Sequence, residues 1–108
     1  MNFQEYQAAT ATTAIYPREI GLAYVALGLA GEAGEIANKV KKIYRDNGGV
    51  LTPEKAAVLK DELSDVLWYV SQLATEIDTS LESVAIDNIS KLTSRKERGT
   101  LMGEGDNR

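Results

Sequence analysis

Apolar residues at Leu22, Ala26, Leu29, Ala33, Ile36, Val40 and Ile43 recur at alternating steps of four and three, the stripe that lets one helix face pack on another. Leu59, Leu63, Val66, Val70, Leu73 and Ile77 repeat the pattern in a second segment. Ahead of both, Asn2 with Glu5 three residues on reads as an N-cap. It opens a short helix through Phe3, Tyr6, Gln7 and Thr10 that must end before Pro17. The long second helix is expected from near Arg18 to about Asp46, where Asn47-Gly48-Gly49 stops it. Thr52-Pro53-Glu54 supplies a cap, a first-turn proline and an acid at the positive helix end, opening a third helix that runs to about Ile77. Thr79 with Glu82 has capping-box spacing and opens a fourth, whose apolar face is Leu81, Val84, Ala85, Ile89 and Leu92. No segment alternates with strand period and none repeats. The expectation is all-α: one small four-helix bundle-like domain over residues 1–98, with a Gly-rich C-terminal tail over 99–108.

Two acid pairs interrupt the stripes at matched places. Glu32 and Glu35 each precede a stripe position by one on the second helix, and Glu62 and Asp65 do the same on the third. Both pairs lie equally far from Gly48-Gly49, so an antiparallel hairpin brings four carboxylates to one level. Unpaired carboxylates beside an apolar seam repel one another and carry a desolvation cost of roughly several kcal/mol each. A cation is therefore expected among them. The chain has no His and no Cys, which removes imidazole and thiolate sites and leaves an all-oxygen cluster suited to Mg²⁺, with Mn²⁺ the second choice. A single acid near a lysine, such as Glu35 with Lys39, reads as a surface pair worth ~0.3–0.5 kcal/mol. Four acids at one seam offset do not. The second helix also carries Gly21, Gly28, Gly31 and Gly34, each costing roughly 1 kcal/mol relative to Ala. Either packing tolerates them or a neighbouring backbone or ligand comes close.

Chain size changes the picture next. At 108 residues the core is modest, and Val66, Leu67, Trp68, Val70 and Leu73 cover more than one face of the third helix, so a homodimer or homotetramer is expected. The lack of cysteine and of an apolar run read as a membrane span points to the cytoplasm, with no membrane partner. Net charge is −4, from 16 acids and 12 bases. That balance argues against a nucleic acid polymer while leaving room for a small anion bound through metal. Asn88, Lys91 and Arg95 follow one line of the fourth helix at steps of three and four. With Lys96 and Arg98 the basic residues are either a solvated helix end favoured by the macrodipole or, for Lys91 and Arg95, donors to phosphate. The Asn88 amide interrupts an apolar face and so needs partners.

Glu32-Ala-Gly-Glu35 and, after 26 intervening residues, Glu62-Leu-Ser-Asp65 resemble the paired ExxE and ExxD signature of MazG-like nucleotide pyrophosphohydrolases. The Asp65-Val-Leu-Trp-Tyr69 run, with Asn88 and Lys91, extends the resemblance over helices two to four. Many members carry a further Glu immediately before the first motif, where this chain has Gly31. The resemblance implies a MazG-like all-α fold and Mg²⁺-dependent cleavage of a nucleoside or deoxynucleoside triphosphate to monophosphate and pyrophosphate. Glu32, Glu35, Glu62 and Asp65 would hold metal, Glu32 would also take the proton of the attacking water, and Asn88, Lys91 and Arg95 would meet the substrate. Tyr69, one turn past Asp65, would reach the base, and Trp68 would sit away from it in a subunit contact. Alternatives are hydrolysis of a guanosine alarmone or another nucleotide, and a non-enzymatic helical module in which metal only neutralises the acids. The last leaves the matched offset of the two pairs unexplained.

Overall fold

Helices α1 (Phe3–Ala11), α2 (Gly21–Asn47), α3 (Pro53–Glu76) and α4 (Leu81–Glu97) follow one another in the computed structural model, which describes residues 1–108, and a 3-10 turn, Arg18–Ile20, leads into α2. There is no strand. The Asn2 carboxamide oxygen accepts from the Glu5 N–H at 2.8 Å, and the Thr52 hydroxyl accepts from the Lys55 N–H at 3.2 Å. Gly48 and Gly49 turn the chain between α2 and α3 at φ of 60° and 78°, a region that costs glycine little. The cap of α4 is Ser80 and not Thr79: its hydroxyl accepts from the Ser83 N–H at 3.0 Å. The Thr79 carbonyl accepts instead from the Gln7 carboxamide at 3.0 Å, tying α1 to the start of α4.

The α2–α3 hairpin keeps one register along its length. Gly21 faces Glu76, Gly28 faces Tyr69 and Glu32 approaches Asp65, so the residue numbers at each crossing add to the same value. The glycines of α2 divide into two kinds. A Cβ at Gly28 would intrude on the Tyr69 ring and one at Gly21 on the Glu76 carboxylate, whereas Gly31 and Gly34 have nothing within 4 Å. Gly28→Ala is therefore expected to lose about 1 kcal/mol, overpacking exceeding the propensity gain, while Gly34→Ala gains about 0.5–1 kcal/mol. Thermal melts of the two variants check this, and a shift of the same sign in both contradicts the division.

Between α1 and α3 the interior is polar. The Thr10 and Ser71 hydroxyls lie 2.8 Å apart, the Gln72 carboxamide donates to Thr10 at 2.7 Å, and the Tyr16 hydroxyl donates to Glu76 at 2.6 Å and to Gln72 at 3.2 Å. Ser71 and Gln72 are buried, so these bonds offset desolvation that each group would otherwise bear alone. Burial first, and the bond to Glu76 second, lift the Tyr16 phenol to about 12. Tyr16 also stacks on Tyr24 with ring centres 4.9 Å apart.

The predicted stripes are covered unevenly. Ile43 is buried and Leu29, Ile36, Val40, Leu59, Val66, Val70 and Leu73 are half-buried, but Leu22, Leu63 and Ile77 stay 56, 59 and 57% exposed. Val25, outside the expected stripe, is fully buried. The radius of gyration is 16.8 Å, against about 13 Å for a compact domain of this length. One chain thus leaves apolar surface that four helices in a closed bundle would cover. Contrary to the sequence expectation, the segment Arg18–Asn47 does have the length and composition of a membrane-crossing helix, with a mean hydropathy of 1.3 over its most apolar window. Its Gly-, Ala- and Leu-rich first half raises that mean; α3 packs along it, yet only 11% of that window is buried in the single chain.

Candidate metal and nucleotide site

Three carboxylates meet across the hairpin. Glu32 of α2 and Glu62 and Asp65 of α3 each place one oxygen within 4.8 Å of the other two. The Lys39 ammonium lies 3.4 Å from the Glu62 carboxylate. Glu35 is exposed and stands outside the trio. The register puts it opposite Glu62, whose carboxylate is shared between Lys39 and the trio and leaves Glu35 unaccompanied. The Glu32 carboxyl is held above its ordinary value by desolvation, then by the charges of Asp65, Glu62 and Glu35. That order fits a half-buried acid crowded by like charges.

Beside the trio, Thr13, Glu32, Asp65, Trp68 and Tyr69 line a hollow of about 380 Å³. The Trp68 indole N–H donates to the Thr13 hydroxyl at 2.8 Å, and Trp68 meets Tyr69 edge-on with ring centres 5.0 Å apart. Trp68 therefore lies against the acids and not away from them: the link between α1 and α2 supplies a hydroxyl that draws the indole to this side. Tyr69 lies on the acid flank and fills the slot over Gly28. Its phenol is raised by burial first and then by Tyr24, Glu32 and Asp65.

Helix α4 packs on α1 and α3 and does not reach α2. Asn88 and Lys91 are exposed on it. The reason for giving Asn88 a ligand, an amide on a covered face, does not hold in the single chain. Arg95 is buried, and its guanidinium donates to the Asp106 carbonyl at 2.6 Å. The tail folds back on the end of α4: Arg98 and the Thr100 hydroxyl both donate to the Arg108 carbonyl, at 2.6 and 3.0 Å. The structure thus brings Glu32, Glu62 and Asp65 together and leaves Glu35 at their edge, with Asn88, Lys91 and Arg95 elsewhere in the chain. The sequence reading gives Lys39 to Glu35, whereas it pairs with Glu62, and it misses Thr13 and the position of Trp68. No periodic signal marks Thr13, which lies in the link between α1 and α2.

The donor set fits a hard divalent cation. Two oxygens on one Mg²⁺ are at most about 4.2 Å apart, so a spread of 4.8 Å closes with small side-chain rotations. With one lysine paired to Glu62 and none to Glu32 or Asp65, the cluster keeps an excess of negative charge.

Residues 22–100, nearly three quarters of the chain, match the MazG nucleotide pyrophosphohydrolase domain. The Gene 37 protein of Mycobacterium phage L5 is 54% identical over 114 aligned positions that span the whole of both chains. No solved structure matches. With the matched segment holding the hairpin and all four motif acids, the chain belongs to the MazG nucleotide pyrophosphohydrolase domain family.

Proposed function

We propose that this protein hydrolyses a nucleoside or deoxynucleoside triphosphate to the monophosphate and pyrophosphate, using Mg²⁺, or Mn²⁺ in its place. The observation that carries this is the meeting of Glu32, Glu62 and Asp65 across the hairpin, in a chain of this family. When bound, the divalent ion neutralises the acids and the phosphates together and polarises the phosphoryl oxygens. Glu62 and Asp65 hold it, with Glu35 as a further acid at the edge of the site. Glu32, whose affinity for a proton is raised, accepts one from water as the water oxygen bonds to the α-phosphorus and the bond to the β-bridging oxygen breaks. Trp68 and Tyr69 offer aromatic surface to the nucleoside on one side of the acids. The uncovered apolar faces of α2 and α3 support a homodimer, which also offers Asn88 and Lys91 a route to the substrate, from a second copy. Arg95 joins them only if the tail releases it.

Incubation with a panel of NTPs and dNTPs plus Mg²⁺, separating pyrophosphate from phosphate, tests the reaction. Release of orthophosphate alone, or no turnover with any nucleotide, removes it.

The raised Glu32 value gives a second test. In the metal-free protein the folded state holds this proton more tightly than the unfolded chain, so stability falls as pH rises above about 4.5 through the raised value. Mg²⁺ favours the ionised carboxylates and offsets the loss. The gap in Tm between Mg²⁺ and EDTA is expected to widen from pH 4 to neutrality and then level off. A gap that does not change with pH contradicts metal binding at this cluster.

A further inference from the structure

On the turn side of the acids the hairpin opens into a groove of about 430 Å³ floored by Ile43, Val58 and Leu59 and edged by Lys39, Lys42 and Lys55. Lys39 belongs to both places, since its ammonium is the one within 3.4 Å of Glu62. Lys39 therefore joins the edge of the groove to the metal site. It also contains Asp46 and Glu54. Asp46 is already engaged by the Arg45 guanidinium through two bonds of 2.8 Å. Neither Lys42 nor Lys55 is in an ion pair, although the charges of both reach Asp46, and the apolar floor offers them no acceptor.

The two sides of the acid trio differ in chemistry. Toward the helix α1 end lie Thr13, Trp68 and Tyr69, with no cation; toward the turn lie the three lysines. Glu62 and Lys55 are seven residues apart on α3, about 10 Å along the helix, which is room for two successive phosphoryl groups. We propose that this groove receives the β- and γ-phosphoryl groups of the triphosphate and holds them as departing pyrophosphate, with Lys42 and Lys55 as the residues that select a triphosphate over shorter nucleotides. The assignment rests on the pyrophosphohydrolase activity proposed above and adds an orientation to it: nucleoside against Trp68, scissile α–β bond at the acids, leaving group toward the turn. As the bond breaks, negative charge collects on the bridging oxygen that leaves with pyrophosphate. Ammonium groups beside its path stabilise that charge more than they stabilise the intact triphosphate.

Calorimetric titration of inorganic pyrophosphate into the wild-type protein and into Lys42→Gln, Lys55→Gln and the double variant, all with Mg²⁺, tests the site without turnover. Each substitution is expected to weaken pyrophosphate binding roughly tenfold or more, and nucleoside monophosphate binding by less than twofold. Lys60→Gln, an exposed α3 lysine outside the groove, controls for general charge loss and is expected to change neither. Pyrophosphate binding unchanged in the double variant, or weakened as much by Lys60→Gln, overturns the assignment. Loss of monophosphate binding in step with pyrophosphate does so as well. The two claims fail separately. A wild-type protein that cleaves no nucleotide but loses pyrophosphate binding in the double variant removes the activity and keeps the site. Full turnover with unaltered pyrophosphate binding in the double variant does the reverse.

Discussion

Asp65→Asn is expected to lower metal-dependent turnover roughly a thousandfold or more while making the metal-free protein more stable than the parent. The two effects share a cause. Asp65 is exposed, contributes one of the three converging oxygens and has no cationic partner of its own. Without metal it therefore gives the fold only repulsion, felt at Glu32 as the largest charge effect on that carboxyl. Removing a ligand of a catalytic ion costs several kcal/mol of transition-state stabilisation, which is the thousandfold. Glu62→Gln is expected to lose as much activity with little gain in stability, because Lys39 then loses its partner. Glu35→Gln is expected to lose least, its carboxylate lying outside the trio. Initial rates at saturating Mg²⁺ and melts in EDTA measure both halves. An Asp65→Asn protein with near-normal rates, or one less stable than the parent in EDTA, contradicts the assignment.

The double substitution of Leu63 and Ile77 by glutamine is expected to convert a dimer to monomers. The single chain exposes 7790 Å², whereas a compact monomer of its mass exposes about 5,900 Å². The excess, about 1,900 Å², falls within what one subunit of an obligate dimer covers. Leu63 and Ile77 belong to the stripe that packs α3 and yet remain 59 and 57% exposed. On a monomer, polar replacements at such positions shift stability by no more than about 0.5 kcal/mol each. Across an interface each occurs twice, buries an unpaired amide and loses a leucine- or isoleucine-sized contact, at about 2–5 kcal/mol apiece. Light scattering at micromolar concentration is expected to give twice the chain mass for the parent and the chain mass for the double variant. A monomeric parent with Mg²⁺ present rules the assembly out.

What could be read from sequence depended on whether a residue's place follows from helical period alone. The meeting of Glu32 with Glu62 and Asp65 was legible, since equal seam offsets on two helices joined by a marked turn leave one register. The separation of Glu35 was not, because it turns on how the Glu62 side chain is shared with Lys39 across the hairpin. Trp68 was misplaced because a loop hydroxyl, Thr13, decides its side, and loops carry no period. The line Asn88, Lys91, Arg95 was identified as one helical edge, but period says nothing about which helix that edge meets. Here α4 stays with α1 and α3, and the tail carbonyls take Arg95. The polar interior of Thr10, Ser71 and Gln72 escaped notice for a similar reason: it depends on where α1 crosses α3.

The uneven distribution of glycine gives the two arms of the site different stiffness. Glu62 and Asp65 ride on α3, which contains no glycine over its 24 residues. Glu32 rides on a stretch of α2 with Gly28, Gly31 and Gly34 spread over about two turns, two of them flanked by empty space. At roughly 1 kcal/mol of helix propensity each, these glycines make that stretch intrinsically less stable as helix than the glycine-free α3. One arm then acts as a fixed abutment and the other as a spring: in the reaction proposed above, Glu32 would follow the changing geometry of the phosphorus centre while Glu62 and Asp65 stay in place.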